Sequence, residues 1–253
     1  SATLWHAAAT RTAVGAPAGS AAGRSVVVNG PATGAVDARP VVADALTAAA
    51  RPVVAVAAGP TLPGAHEEAV AVAALHGVTP LTGAAATVDA VLAALGTADV
   101  VHLAAHGRLS ADNPLFSDIR LADGPLVAYD VERLARVPGT VVLAACDTGR
   151  SAVRAGDELL GLSAMFLGRG TARLIASVLP VPDTETAPLM VALHAGLARG
   201  RSPATALAEA IAATVWAASG AASGGTDAAA ALAAAAGFVC LGADPAQGRS
   251  SAG

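Results

Sequence analysis

Two short apolar runs in this chain each end in a residue suited to nucleophilic chemistry. The first, Val-Val-His-Leu-Ala-Ala-His-Gly at 100–107, delivers His106 just before Gly107. The second, Val-Val-Leu-Ala-Ala-Cys-Asp-Thr-Gly at 141–149, delivers Cys146 ahead of the turn residues Asp147, Thr148 and Gly149. A thiolate is the attacking species, and a neighbouring imidazole lowers the thiol pKa and carries its proton. A cysteine read alone is most often a small buried apolar residue. Here a strand-to-loop turn follows it, and a base ends another strand. In open α/β sheets ligands bind outside the carboxyl ends of the strands, which is where both residues fall. The pattern predicts a Cys–His hydrolase, with Cys146 as nucleophile and His106 as base. Gly107 is either a plain turn glycine or the source of an unobstructed N–H for an oxyanion, with the N–H of Cys146 as second donor. Donors of this kind contribute on the order of 3 kcal/mol to the transition state.

The remaining candidates have simpler readings. Cys240 lies inside an apolar run and is expected in the core. His102 and His106 form His-x-x-x-His, which on a helix would suggest two metal ligands. On a strand, four steps span ~13 Å, so one ion cannot bind both. His102 is then a packed or hydrogen-bonded histidine that supports the site. His6, His66, His76 and His194 have no acidic or cysteine cluster close by in sequence. Neither a metal nor a cofactor is expected. Asp183 reads equally well as the N-cap of the helix that follows it. Asp157 reads as a cap or a loop anchor.

The elements that must position these residues alternate between strand and helix. Residues 15–40 read as irregular structure around a β-like run at 25–28. Val53–Ala57 is β-like and closed by Gly59-Pro60, and 65–75 reads as a helix ended by Gly77. Val88, Val91, Leu92 and Leu95 follow the spacing of a buried helical stripe, with Thr87 as N-cap and Gly96 as stop. After the His106 strand come a loop at 112–117, a β-like run at 119–121 and the turn Asp123-Gly124. A short helix is spaced by Val131, Leu134 and Val137, and the Cys146 strand follows. A helix from about Asp157 stops at glycines 168 and 170, and Leu174–Val178 is another strand. Helices follow at 185–198 and 203–218, the second opened by Ser202-Pro203. A flexible stretch, 219–226, leads to an Ala-rich helix and a last strand at 237–241. Such alternation predicts a mainly parallel sheet covered on both faces, in one domain.

Composition narrows the function classes. The chain has 253 residues, enough for a sizeable core, and its 54% hydrophobic content is inflated by alanine. There is no lysine, the net charge is −4, and no basic run appears, which argues against nucleic-acid binding. No stretch offers the ~18 strongly apolar residues of a membrane span. The opening Ser-Ala-Thr-Leu-Trp-His lacks the features of a secretory signal. Two cysteines are too few for a disulfide scaffold, so a reducing cytoplasm is the expected compartment.

Taken in order, His-Leu-Ala-Ala-His-Gly, Leu-Ala-Ala-Cys-Asp-Thr-Gly, Gly-Asp-Glu-Leu-Leu-Gly-Leu and Ala-Ser-Val-Leu-Pro-Val-Pro-Asp-Thr resemble the CHAT domains. These are caspase-like domains related to separase and often attached to tetratricopeptide repeats. The likeness extends to Leu-Pro-Gly-Ala-His-Glu-Glu at 62–68 and Ala-Asp-Asn-Pro-Leu-Phe-Ser at 111–117, and covers about residues 50–242. A histidine some 40 positions ahead of an Ala-Cys segment also approximates the caspase layout, at about that spacing. The resemblance implies a caspase-haemoglobinase fold, a three-layer α/β sandwich with a mainly parallel sheet. It would occupy residues 51–242, with 1–50 as a peripheral, partly irregular segment and 243–253 as a tail.

It further implies a cysteine endopeptidase acting on protein substrates, with His106 as catalytic histidine and Cys146 as nucleophile. Asp183 falls where separase carries an acid of the S1 pocket, which would favour arginine at P1. This chain departs from many relatives in having Leu179 where they have tryptophan. The opening residues resemble an internal part of such domains, so an upstream strand and regulatory tetratricopeptide repeats are expected outside this chain. Two other classes fit the same residues: a catalytically silent interaction module, and a non-proteolytic Cys–His acyl hydrolase or transferase.

Overall fold

A strand that is apolar on both sides needs cover on both sides, and the runs through Leu103 and Val142 meet that condition in the middle of a parallel sheet. The computed structural model describes residues 51–62, 64–108, 110, 113–144, 157–178, 181, 183–220 and 226–242. The expectations for residues 1–50, for Cys146 and its turn, for Leu179 and for the tail at 243–253 lie outside the described residues.

Five strands make the main sheet: β1 (Val54–Ala58), β2 (Val100–Ala104), β6 (Thr140–Leu143), β7 (Arg173–Ser177) and β8 (Phe238–Gly242), in the order β1-β2-β6-β7-β8. The first four are parallel, and β8 is antiparallel to β7. Helices α1 (Ala65–His76), α5 (Asp183–Ala198), α6 (Pro203–Gly220) and α7 (Thr226–Gly237) belong to one face. They pack on Val54, Val56, Ala104, Val142 and Ile175. Helices α2 (Val88–Thr97), α3 (Ala128–Glu132) and α4 (Asp157–Arg169) cover the other, against Val101, Leu103, Val141, Leu143 and Leu174. Successive strand residues therefore serve opposite cores, as the pleat requires. The result is the expected three-layer α/β sandwich with a mainly parallel sheet.

A second, small antiparallel sheet joins β3 (Gly107–Arg108), β4 (Asp118–Arg120) and β5 (Pro125–Val127). Only its middle strand is visible in the sequence, because the flanking ones are too short to carry a period. Helix α2 runs through Gly96 to Thr97 rather than stopping at the glycine. Thr87 does cap its start, its hydroxyl accepting from the N–H of Ala90 at 3.2 Å. Helix α3 ends at Glu132; Leu134 and Val137 pack beside the core from beyond it. Gly168 likewise lies inside α4, and Gly170, with φ 107°, follows its end.

The starts of the central strands are tied together by Asp99. Its carboxylate accepts from the N–H of Val53 at 2.9 Å and from Arg136 at 2.5 Å. Its backbone carbonyl accepts from Thr140. The bond from Val53, then Arg136, holds the Asp99 carboxyl below the ordinary aspartate value.

At the opposite edge, Gly59 closes β1 with its N–H donated to Ala104 O at 2.8 Å. A Cβ there would sit 2.4 Å from Arg120 O and 2.5 Å from the Ala105 Cβ. We predict that Gly59→Ala lowers unfolding free energy by about 1–3 kcal/mol, the usual cost of an extra carbon in a filled space. It should also speed amide exchange at Ala105–Arg108. Denaturant unfolding with an unchanged midpoint would show that this approach is looser than its distances.

Candidate active site

Adjacent parallel strands lead to both members of the expected dyad. β2 and β6 pair in register from Val100 opposite Thr140 to Leu103 opposite Leu143, and Ala144 N–H donates to Leu103 O at 2.9 Å. Their carboxyl ends therefore share one edge of the sheet. His106 lies two residues past the end of β2, half-buried, after the buried bend at Ala105. Cys146 lies outside the described residues, two positions beyond Ala144.

The chain turns at His106 from the main sheet into the small one. The His106 carbonyl accepts from Arg120 N–H at 2.8 Å, and Gly107 pairs with Ile119. In an antiparallel ladder that bond makes 107/119 a non-hydrogen-bonded pair, so the N–H of Gly107 faces away from β4. One residue on, Arg108 reaches the fully buried Asp118, with Nε at 2.8 Å and Nη2 at 2.7 Å from Oδ2. Arg120 approaches the other oxygen at 3.9 Å. A buried carboxylate held by a guanidinium pins β3 to β4, two residues beyond His106 in the chain.

Asp183 is the first residue of α5 rather than the residue before it, and its side chain is outside the description. Asp157 likewise opens α4. Cys240 sits on β8 opposite Ile175 and packs against the core, away from the carboxyl edge that β2 and β6 share. Among the described residues no group of histidines, cysteines and carboxylates could hold a metal ion. No helix among them is long and apolar enough to cross a membrane.

His102 is fully buried at the middle of β2, as a packed and hydrogen-bonded residue. Its partners are the part that reading by sequence proximity missed. His102 Nε2 lies 2.8 Å from Glu68 Oε1 on α1, and its Nδ1 lies 3.1 Å from His194 Nε2 on α5. His194 Nδ1 in turn lies 3.0 Å from His76 Nε2. One signal pointed to this: Glu68, Val72 and His76 repeat every four residues and so share one helix face. Burial lowers the pKa of His76, and the charge of protonated His102 adds to the effect. Burial acts more strongly on His194, with His102 and His76 adding, and holds it well below the usual value.

Comparison with known proteins agrees with this architecture. Human tetratricopeptide repeat protein 28 is 30% identical over 188 residues, which cover 59% of this chain and 8% of that protein. The model of the CHAT domain matches residues 6–236. Nearly the whole chain falls within that match, and it belongs to the CHAT domain family, a caspase-like, peptidase-related group.

Proposed function

We propose that this domain is a cysteine endopeptidase using a Cys146–His106 dyad. The observation that carries the reading is the parallel pairing of β2 with β6, which directs the chain toward both residues from one sheet edge. In the first half-reaction His106 takes the Cys146 proton and the sulfur attacks the scissile carbonyl carbon. The tetrahedral oxyanion accepts from the N–H of Gly107, which the β3–β4 pairing leaves facing away from its own sheet. Collapse breaks the C–N bond, and His106 returns its proton to the departing amine. A thioester remains. Water then gives a proton to His106 and attacks the thioester, and the acid leaves as the thiol is restored.

Substrates are unfolded or loop segments of proteins with arginine at P1, bound by Asp183 as the acid of the S1 pocket. A planar guanidinium suits a carboxylate better than an ammonium does, so lysine is the poorer residue. Asp183 opens α5, directly after the segment that follows β7, which neighbours β6 in the sheet. Regulation falls to tetratricopeptide repeats outside this chain, a proposal supported by the relative that bears that name. A cytoplasmic setting suits a mechanism that needs a reduced thiol.

Two predictions follow from the roles assigned. An electrophilic peptide with P1 arginine should add its mass to wild type and to Cys240→Ala, and not to Cys146→Ala. His106→Ala should slow the labelling by roughly 10²–10⁴-fold, the usual worth of a general base. Modification of Cys240 instead would displace Cys146 as the nucleophile. Profiling with a peptide library should give cleavage after arginine, with that preference lost selectively in Asp183→Ala. Cleavage after leucine or methionine, indifferent to Asp183→Ala, would overturn the S1 assignment and leave the dyad standing.

A further inference from the structure

Four ionisable side chains form a hydrogen-bonded row through one helical layer, and the peptidase mechanism uses none of them. Glu68 is 4% exposed, His102 and His194 are fully buried, and His76 is half-buried at the end of α1. The three contacts measure 2.8, 3.1 and 3.0 Å, and the rings meet edge to face. Each imidazole uses both nitrogens or, at His76, one.

Donor–acceptor counting constrains this row tightly. If His76 Nε2–H donates to His194 Nδ1, then His194 must carry its proton on Nε2 and donate to His102 Nδ1. His102 then donates Nε2–H to the Glu68 carboxylate. In the reverse arrangement His102 Nδ1–H donates to His194 Nε2, His194 Nδ1–H donates to His76 Nε2, and His76 keeps its proton on Nδ1. His76 and His194 therefore always share one tautomer. The two arrangements differ by one proton, gained at His76 Nδ1 and held by the Glu68–His102 pair. A second proton would set two N–H groups against each other.

We propose that this row is a single-proton relay, through which half-buried His76 reports acidity to the Glu68–His102 pair on β2. A proton arriving at His76 Nδ1 sends the Nε2 proton to His194 Nδ1. The His194 Nε2 proton then moves to His102 Nδ1, where it remains on an imidazolium paired with Glu68 or displaces the Nε2 proton onto the carboxylate. No bond other than N–H and O–H changes, and no charge is created that Glu68 does not offset. A further proton breaks the His76–His194 contact at its exposed end and loosens α1 from α5.

The elements packed around the row carry other titratable groups. Helix α1 also carries His66 and Glu67, both exposed, and α5 carries Asp183 and Glu185 in its first turn. Arg199 follows α5, and α6 presents Glu209, paired with Arg201 at 3.4 Å. Asp227 lies in the first turn of α7, and Cys240 on β8 packs against the same core. The strands β1 and β6 bring Val54, Val56, Ala58 and Val142 to that core.

His76 and His194 bind protons less readily folded than unfolded. Stability is thus complete above the unfolded value of about 6.5 and falls as pH drops from there toward the folded values. In that window the unfolding constant should rise about tenfold per pH unit for each histidine kept neutral, and up to about a hundredfold for both. The test follows the ¹⁵N-labelled histidine rings by NMR and denaturant unfolding from pH 8 to 5, in wild type, His76→Gln and His194→Gln. Glutamine at 76 retains a donor and does not titrate, and its half-buried site keeps that variant folded if His194→Gln fails. His76 and His194 should report one tautomer, and His76→Gln should remove up to tenfold per unit from the pH slope. Opposite tautomers at the two rings, or a pH slope unchanged in His76→Gln, would overturn the relay. No substrate enters these measurements, so they stand or fall independently of the peptidase reading.

Discussion

A carboxyl group has been placed in the core of this domain, and its neighbours are arranged around that fact. A polar group buried without a hydrogen bond costs roughly 2–7 kcal/mol. Glu68 shares its helix face with Ala65, Ala69 and Val72, none of which can bond to it. The partner comes from across the layer, His102 on β2. That contact requires the His102 side of β2 to face α1 and α5. A slip of one residue would turn His102 into the opposite core and leave Glu68 stranded. Since β2 lies between β1 and β6, its register is shared with both neighbours, and the carboxyl edge inherits it.

Edge residues are held from a different direction. Beyond Ala104 the sheet no longer controls the chain, and the small β3–β4–β5 sheet takes over. Three contacts bracket His106: Gly59 beneath Ala105, Arg120 N–H on the His106 carbonyl, and the Arg108–Asp118 pair one step further on. Breaking a fully buried ion pair by removing one partner costs about 3–5 kcal/mol and an exposed pair is worth about 0–1 kcal/mol, and the half-buried Arg108–Asp118 pair falls between them. Asp118 is fully buried and the Arg108 side chain mostly exposed. Arg108 therefore acts as a clamp reaching in from solvent. It restrains the backbone on which the Gly107 N–H is oriented.

Much of this was legible in the sequence, and the reasons differ by element. The strands through Val56, Leu103, Val142 and Ile175 stood out because burial on both faces leaves a continuous apolar run. Helices α1, α2, α4, α5 and α6 announced themselves by spacing and by punctuation such as Thr87 and Ser202-Pro203. Stops at Gly96 and Gly168 were misplaced because glycine inside a helix costs only about 1 kcal/mol, which packing outweighs. Strands β3 and β5 are two and three residues long and have no period to read. The Glu68–His102–His194–His76 row was invisible as a cluster, because its members are spread over 126 positions and meet only after α1 and α5 pack on β2. The candidate site was legible only as motif and strand end. Its His106 half has a described setting, and its Cys146 half rests on the strand that leads to it.

Two histidines on one strand end up with different duties because of where the strand leaves them. His102 and His106 are four residues apart, roughly 13 Å along an extended chain. At that separation two unit charges interact by only about 1 kcal/mol at an effective dielectric of 20. Glu68, at 2.8 Å from His102, offsets even that when His102 is charged. Direct electrostatics thus transmits little from the buried row to the edge. What the row ties together is β2 and the two helices α1 and α5, which pack on the same face of the sheet. His102 and His106 are joined only through the backbone that runs from β2 to Ala105. A first proton gained at His76 passes to the Glu68–His102 pair, and only a further one, by loosening α1 from α5, would disturb the face on which β2 rests.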